Sequence, residues 1–220
     1  MTNCTIENDV AVLTLDDGKA NVVGYDFIEA VNAALDRSTS DAQAIVLAGR
    51  AGMFSGGFDL KEIQKGPEAA AALVDKGARM LLRLFTHPQP VIAAATGHAI
   101  AAGAFTLLAA DTRWAATGDY KFGLNETAIG MSLPVFGIQL ATARLSRRHL
   151  TQAVTQATIY DTTQALDVGY LDAVKDAESL LDDAIAEAHR LGDFDTESYS
   201  ANKRRWRAPY IEAIEASLSN

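Results

Sequence analysis

Two glycine-rich segments and one glutamate hold the residue types that can do chemistry in this chain. GRAGMFSGGFDLKEI runs from Gly49 to Ile63, and GHAIAAGAF runs from Gly97 to Phe105. Each follows a short apolar run. Taken alone, each reads as small residues that permit a tight turn and close packing. The pair has a second reading. Each segment presents a backbone N–H where a helix opens, and two such donors aimed at one point stabilise a carbonyl oxygen as it gains charge. A helix opening at Ala102-Gly103 adds the positive end of its dipole. Other chemistries are excluded. The first segment lacks the GK[ST] ending of a phosphate-cradling loop, and Met53 stands where a GxSxG nucleophile elbow needs glycine. Neither GxGxxG nor HExxH occurs.

The glutamate is Glu126, in YKFGLNETAIGMSLP, surrounded by apolar and small residues. A carboxylate in an apolar pocket has a raised pKa and can move a proton near neutral pH. A carboxylate can also cap a helix start, and Asn125 and Glu126 both suit that position. Residue types alone leave both roles open. His87, His149 and His189 read as packed or solvated histidines, and His98 as packing within the second glycine segment. Cys4 has no visible base partner. Asp59 and Glu62 read as acidic residues at a helix N-terminus.

The elements that must position these groups alternate between strand and helix over the first 120 or so residues, and helices dominate afterwards. AIVLAG and PVIAAATG are continuous apolar runs, the pattern of strands covered on both faces. YDFIEAVNAALDR and the stretch from Pro67 to Phe85 carry helical spacing. GRAGMFSGG reads as a flexible loop, GHAIAAG as a turn, HLTQAVTQA as helix, and the stretch from Ser198 onward as a last helix. Pro134 suits a first helical turn and Gly169 a helix end. No Asp, Glu, Lys or Arg occurs from Phe85 to Ala110, but Pro, Gly, His and many alanines interrupt that run. It reads as a buried strand and a buried helix, not a membrane span. The class is α/β with a helical C-terminal portion.

Composition narrows the function. The chain has 220 residues, with 19 Lys plus Arg against 28 Asp plus Glu and a net charge of −9. That balance argues against a nucleic-acid partner, which needs a basic face. One cysteine rules out an internal disulfide framework and a cysteine-based metal cluster, and no secretory signal is visible. Basic residues gather late, at Lys203, Arg204, Arg205 and Arg207 beside Trp206. They suit either the phosphates of a nucleotide ligand or a subunit interface.

Taken together, FSGGFDLKEI, GHAIAAGAFTLLAAD and FGLNETAIGM resemble the crotonase superfamily of enoyl-CoA hydratases and isomerases, in order and spacing, from about Thr5 to Val174. The resemblance implies a ββα spiral core over residues 1–195 and a C-terminal helical extension over 196–220 that serves assembly or covers the site. It maps the two oxyanion donors to the N–H groups of Phe58 and Ala102 and the catalytic carboxylate to Glu126. Ala102 stands where the family usually has glycine. The resemblance further implies acyl-CoA contacts at Lys19, Ala20, Ser55, Gly57, Asp59, Leu60, Lys61 and Gly103. It implies a coenzyme A thioester as substrate with no separate cofactor or metal, a homotrimer or hexamer, no membrane span and a cytoplasmic location. Hydratases carry a second glutamate at the position of Phe105. With one carboxylate left, the LNET motif is closest to the Δ3,Δ2-enoyl-CoA isomerases. The alternatives are a hydratase or other crotonase-type reaction, and a non-catalytic acyl-CoA-binding protein.

Overall fold

The computed structural model describes residues 2–218. Ten strands form two sheets. The larger has the order β1 (Asn3–Glu7), β2 (Val10–Thr14), β3 (Ala44–Ala48), β5 (Val91–Ala95), β7 (Thr112–Ala116) and β10 (Ala173–Lys175). It is parallel except for the β1–β2 hairpin. The smaller has the order β4 (Gly52–Ser55), β6 (Gly97–Ile100), β8 (Lys121–Gly123) and β9 (Ile159–Asp161), with only β9 antiparallel. From β3 to β8, consecutive strands therefore alternate between the sheets. The chain lays β3 in the large sheet, β4 in the small one, then helices α2 (Leu60–Ile63) and α3 (Pro67–Thr86). It repeats this with β5, β6 and α4 (Ala102–Ala109), and again with β7, β8 and α5 (Val135–Arg144). This is the expected ββα spiral.

The apolar runs are explained by alternation within it. Ile45, Leu47, Val91 and Ala93 point into the main core. Ala44, Val46, Ala48 and Ile92 point the other way, against α7 (Leu180–Gly192). Both faces are covered, so no polar alternation is possible. The main core also takes one face of α1 (Tyr25–Asp41) and of α3. Stacked coils approach closely. A methyl on Gly97 would lie 1.9 Å from the Gly52 carbonyl carbon, so the second coil rests backbone to backbone on the first.

Several local expectations need correction. GRAGMFSGG contains β4, and GHAIAAG contains β6; glycines concealed both because backbone proximity, not side-chain burial, selected the residues. HLTQAVTQA is a short 3₁₀ turn followed by a single π-helical turn, and the strand β9 behind it has three residues. Pro134 is the N-cap of α5 and lies just outside it. Gly169 does end α6 (Thr162–Val168), in the left-handed conformation with φ +100°. The last helix, α8 (Thr196–Leu218), packs on α3 and α5. Met1, Ser219 and Asn220, at the ends of the two segments expected from the sequence, lie outside the described residues. Among the described residues no helix is long and apolar enough to cross a membrane; the uncharged run contains the end of α3, β5, β6 and α4.

Candidate active site

The first glycine segment is held by the loop that follows β2. Gly56 N–H donates to Ala20 O at 2.8 Å, Val23 N–H to Gly57 O at 2.8 Å, and Asp59 N–H to Val23 O at 3.3 Å. Asn21, 2% exposed and with φ +48°, is the organiser of this loop. Its Nδ2 donates to Leu15 O at 2.7 Å and Phe54 O at 3.2 Å, and its carbonyl accepts from Ser55 Oγ at 2.7 Å. These bonds bracket Phe58. Its own N–H finds no acceptor among the described residues, and its ring lies over Gly77 of α3.

The second segment turns sharply. Ala101 has φ +52°, a region that costs a side-chain-bearing residue on the order of 1–3 kcal/mol. Its N–H donates to Gly123 O at 2.9 Å, and the strained turn leaves Ala102 as the first residue of α4. The Ala102 N–H also has no acceptor among the described residues. The two segments touch. A methyl on Gly103 would lie 2.1 Å from Ser55 O, so the start of α4 is seated directly on the end of β4. Two open amides on adjoining backbones are thus available to a ligand oxygen.

Glu126 follows β8, at the start of the 3₁₀ turn Thr127–Ile129. It is 6% exposed, makes no side-chain cap, and its Oε2 has no hydrogen-bond partner. The capping role that the residue types left open is therefore not what this carboxylate does. Burial pushes its pKa up, opposed only by its own N–H. Asn125 Oδ1 and the Tyr170 hydroxyl are likewise buried without partners. Tyr170 packs 5.8 Å from the Tyr160 ring, and burial, then the nearby charges of Tyr160 and Glu126, raise its pKa. The sequence does not single out Asn21, Tyr160 or Tyr170. The residues around Asn21, DGKAN from Asp17 to Asn21, read as a turn-rich loop, and Tyr160 lies in the three-residue strand β9, too short to show a period.

Phe105 sits one turn into α4, 1% exposed, its ring edge-on to Phe136 at 5.5 Å. A methyl on Gly137 of α5 would be 2.5 Å from that ring, so Gly137 makes the space the phenyl group fills.

The expected acyl-CoA residues divide. Lys19, Leu60 and Lys61 are exposed, and Ala20 and Asp59 are half-buried. A cleft of about 290 Å³ opens beside them, lined in part by Asp17, Asn21, Tyr25 and Asp59. Asp59 also caps α2 by accepting from Lys61 N–H at 2.9 Å, as its sequence context suggested. Ser55, Gly57 and Gly103 are buried, and the Ser55 hydroxyl is spent on Asn21. The basic cluster needs correction. Lys203 and Arg207 do not stand on an open basic face: they are 5% and 2% exposed and pair with Asp111 at 2.6 Å and 2.7 Å. An aspartate closing α4 has to be neutralised once α8 covers it. Arg204 and Arg205 remain exposed.

Comparison with known proteins places this geometry. The family described as enoyl-CoA hydratase/isomerase matches residues 5–219. The chain belongs to the enoyl-CoA hydratase/isomerase family. A family member from Bacillus subtilis, named a probable enoyl-CoA hydratase, is 28% identical over 218 residues, covering 97% of this chain and 84% of that one. The crystal structure of a hydratase/isomerase family protein from Pseudomonas syringae superposes with a TM-score of 0.95 at 37% identity, over 99% of this chain and 95% of that chain. An apo structure named an enoyl-CoA isomerase, from Mycobacterium tuberculosis, gives a TM-score of 0.94 at 35% identity, over 99% and 96%. Relatives of comparable similarity thus carry both reaction names.

Proposed function

We propose that this protein is an acyl-CoA enzyme of Δ3,Δ2-enoyl-CoA isomerase type. The thioester oxygen sits between the N–H groups of Phe58 and Ala102, which hold it more tightly as it becomes an enolate oxygen. Glu126 takes a proton from C2 of a 3-enoyl-CoA, leaving a dienolate, and returns the same proton at C4 to give the 2-enoyl-CoA. One carboxylate serves both steps, and no further cofactor is needed. The observation that carries this reading is the pairing of a buried Glu126 with an unpartnered Oε2 and a phenyl ring at Phe105. Adding water requires a group to hold and deprotonate it, and a phenyl ring can do neither. In the same reading the coenzyme A moiety lies along Lys19, Ala20, Asp59, Leu60 and Lys61, and the protein assembles as a trimer or hexamer.

A hydratase reading is favoured by the name probable enoyl-CoA hydratase, carried by the Bacillus subtilis relative and by several from mycobacteria. Parallel assays on 3-hexenoyl-CoA and crotonyl-CoA separate the two. Isomerisation of the first without hydration of the second is the expected result. Hydration of crotonyl-CoA overturns the isomerase reading, and binding of both thioesters without turnover leaves an acyl-CoA-binding protein.

A further inference from the structure

The far end of α4 from the open amides holds more positive charge than the protein neutralises. Arg144, Lys203 and Arg207 converge there on one carboxylate, Asp111. Asp111 is fully used. Oδ1 accepts from Arg207 at 2.7 Å, and Oδ2 accepts from Lys203 at 2.6 Å and from Val91 N–H at 2.9 Å. The other acceptors are carbonyls. Lys203 Nζ donates to His87 O and Gln89 O, Arg207 to Phe85 O, and Arg144 to Leu108 O and Ala110 O. Carbonyl dipoles offset part of the excess and supply no counter-charge. Two donors stay empty: Arg207 Nε is buried without a partner, and Arg144 Nη1 has none among the described residues.

These groups line a cleft of about 290 Å³ between α5 and α8, open to solvent, with Tyr199, Asn202 and Trp206 as its remaining walls. The Trp206 ring is stacked by both guanidinium groups, 5.6 Å from Arg144 and 5.4 Å from Arg207, and is itself 48% exposed. Crowding among the cations is visible in their acidities. Burial, then the charges of Arg207 and Arg113, brings Arg144 down to about 9, with Asp111 and Asp172 opposing. Burial also brings Lys203 down to about 8, with Asp111 opposing and Arg207 and Arg144 adding to the fall. An uncompensated buried charge is costly, and a mobile anion removes that cost.

We propose that this cleft is a binding site for a compact oxyanion, a phosphate group or small carboxylate, held by Arg144 Nη1 beside the Trp206 ring and attracted by the buried charges of Lys203 and Arg207 behind it. Planar guanidinium forks suit such oxygens. The site is separate from the open amides of Phe58 and Ala102, since the eight residues of α4 place its two ends about 12 Å apart.

Inorganic phosphate is the probe, read by thermal unfolding and by calorimetric titration against chloride at equal ionic strength. Phosphate is expected to raise the melting temperature by several degrees and to bind saturably. Asn202 is exposed on the cleft wall, so Asn202→Glu places a carboxylate there without disturbing the core. That variant is expected to melt higher than wild type in chloride and to lose the response to phosphate. Identical melting in phosphate and chloride overturns the proposal. So does a phosphate response that Asn202→Glu leaves intact. A matching loss of coenzyme A affinity in Asn202→Glu overturns the separateness of the site, since it assigns the cleft to the nucleotide phosphates.

Discussion

The α-carbon of Gly57 faces the amide of Ala102: a methyl at Gly57 would come within 3.6 Å of the Ala102 nitrogen and 2.9 Å of the Ala101 Cβ. The residue before one open N–H therefore sets the spacing to the other. Gly57 also has φ +105°, where a side chain is strained. Gly57→Ala is expected to wedge the two segments apart and to lower kcat/KM by about 100-fold, the usual consequence of losing one oxyanion donor. The check is steady-state kinetics on 3-hexenoyl-CoA, with circular dichroism to show that the fold persists.

Glu126→Gln removes the proton acceptor and keeps its shape. Turnover is expected to fall about 100- to 10,000-fold while acyl-CoA binding, measured by calorimetry, stays near wild type. Full turnover by the variant would exclude Glu126 as the acid–base group.

The same residue sets a pH dependence of opposite sign for activity and for stability. Glu126 must be ionised to accept a proton, so activity is expected to fall with decreasing pH through a midpoint above the ordinary carboxylate range, because burial raises this pKa. For stability, a raised folded-state pKa gives a contribution that is full below the unfolded value and lost as pH rises through the folded one. Glu126→Gln should therefore melt a few degrees above wild type at neutral pH, with the difference vanishing near pH 4. Paired melting curves across that range test it.

Asp111 is buried beneath Lys203 and Arg207. Burial alone would raise its pKa, but the two cations outweigh it and hold it low. Its contribution is present above the ordinary carboxylate range and lost as pH falls through the depressed value. Asp111→Asn leaves two cations without their counter-charge and is expected to cost about 3–5 kcal/mol, read as a lower midpoint in urea. An unchanged midpoint would show that the helix carbonyls alone suffice.

Phe105→Ala empties a ring that Phe136 and Gly137 enclose. The expected loss is about 3–5 kcal/mol by chemical denaturation. Phe105→Glu should unfold the core more readily still and not confer hydration of crotonyl-CoA, because the surroundings are apolar.

The residues that could be read from the sequence are those whose chemical type announces a role. Buried strands such as AIVLA, the helix-ending Gly169 and the Asp59 cap all belong there, whereas residue type alone left Glu126 between a cap and an acid–base group. The positions that could not be read act through contacts distant in sequence. Asn21 looks like a turn residue until β4 lies against it 32 to 33 residues later. β4 and β6 look like loops because glycine is chosen for the approach of another backbone and leaves no period of 2 to see. Lys203 and Arg207 look like a surface for nucleotide phosphates or a subunit interface because nothing nearby in the chain reveals a buried aspartate.

That last pairing has a consequence for biosynthesis. Asp111 waits 92 residues for Lys203 and 96 for Arg207. During translation the spiral that carries Glu126 is complete while Asp111 is still open to water, and α4 lacks its clamp. A ribosome-bound chain stopped before residue 203 is thus a spiral without a latch.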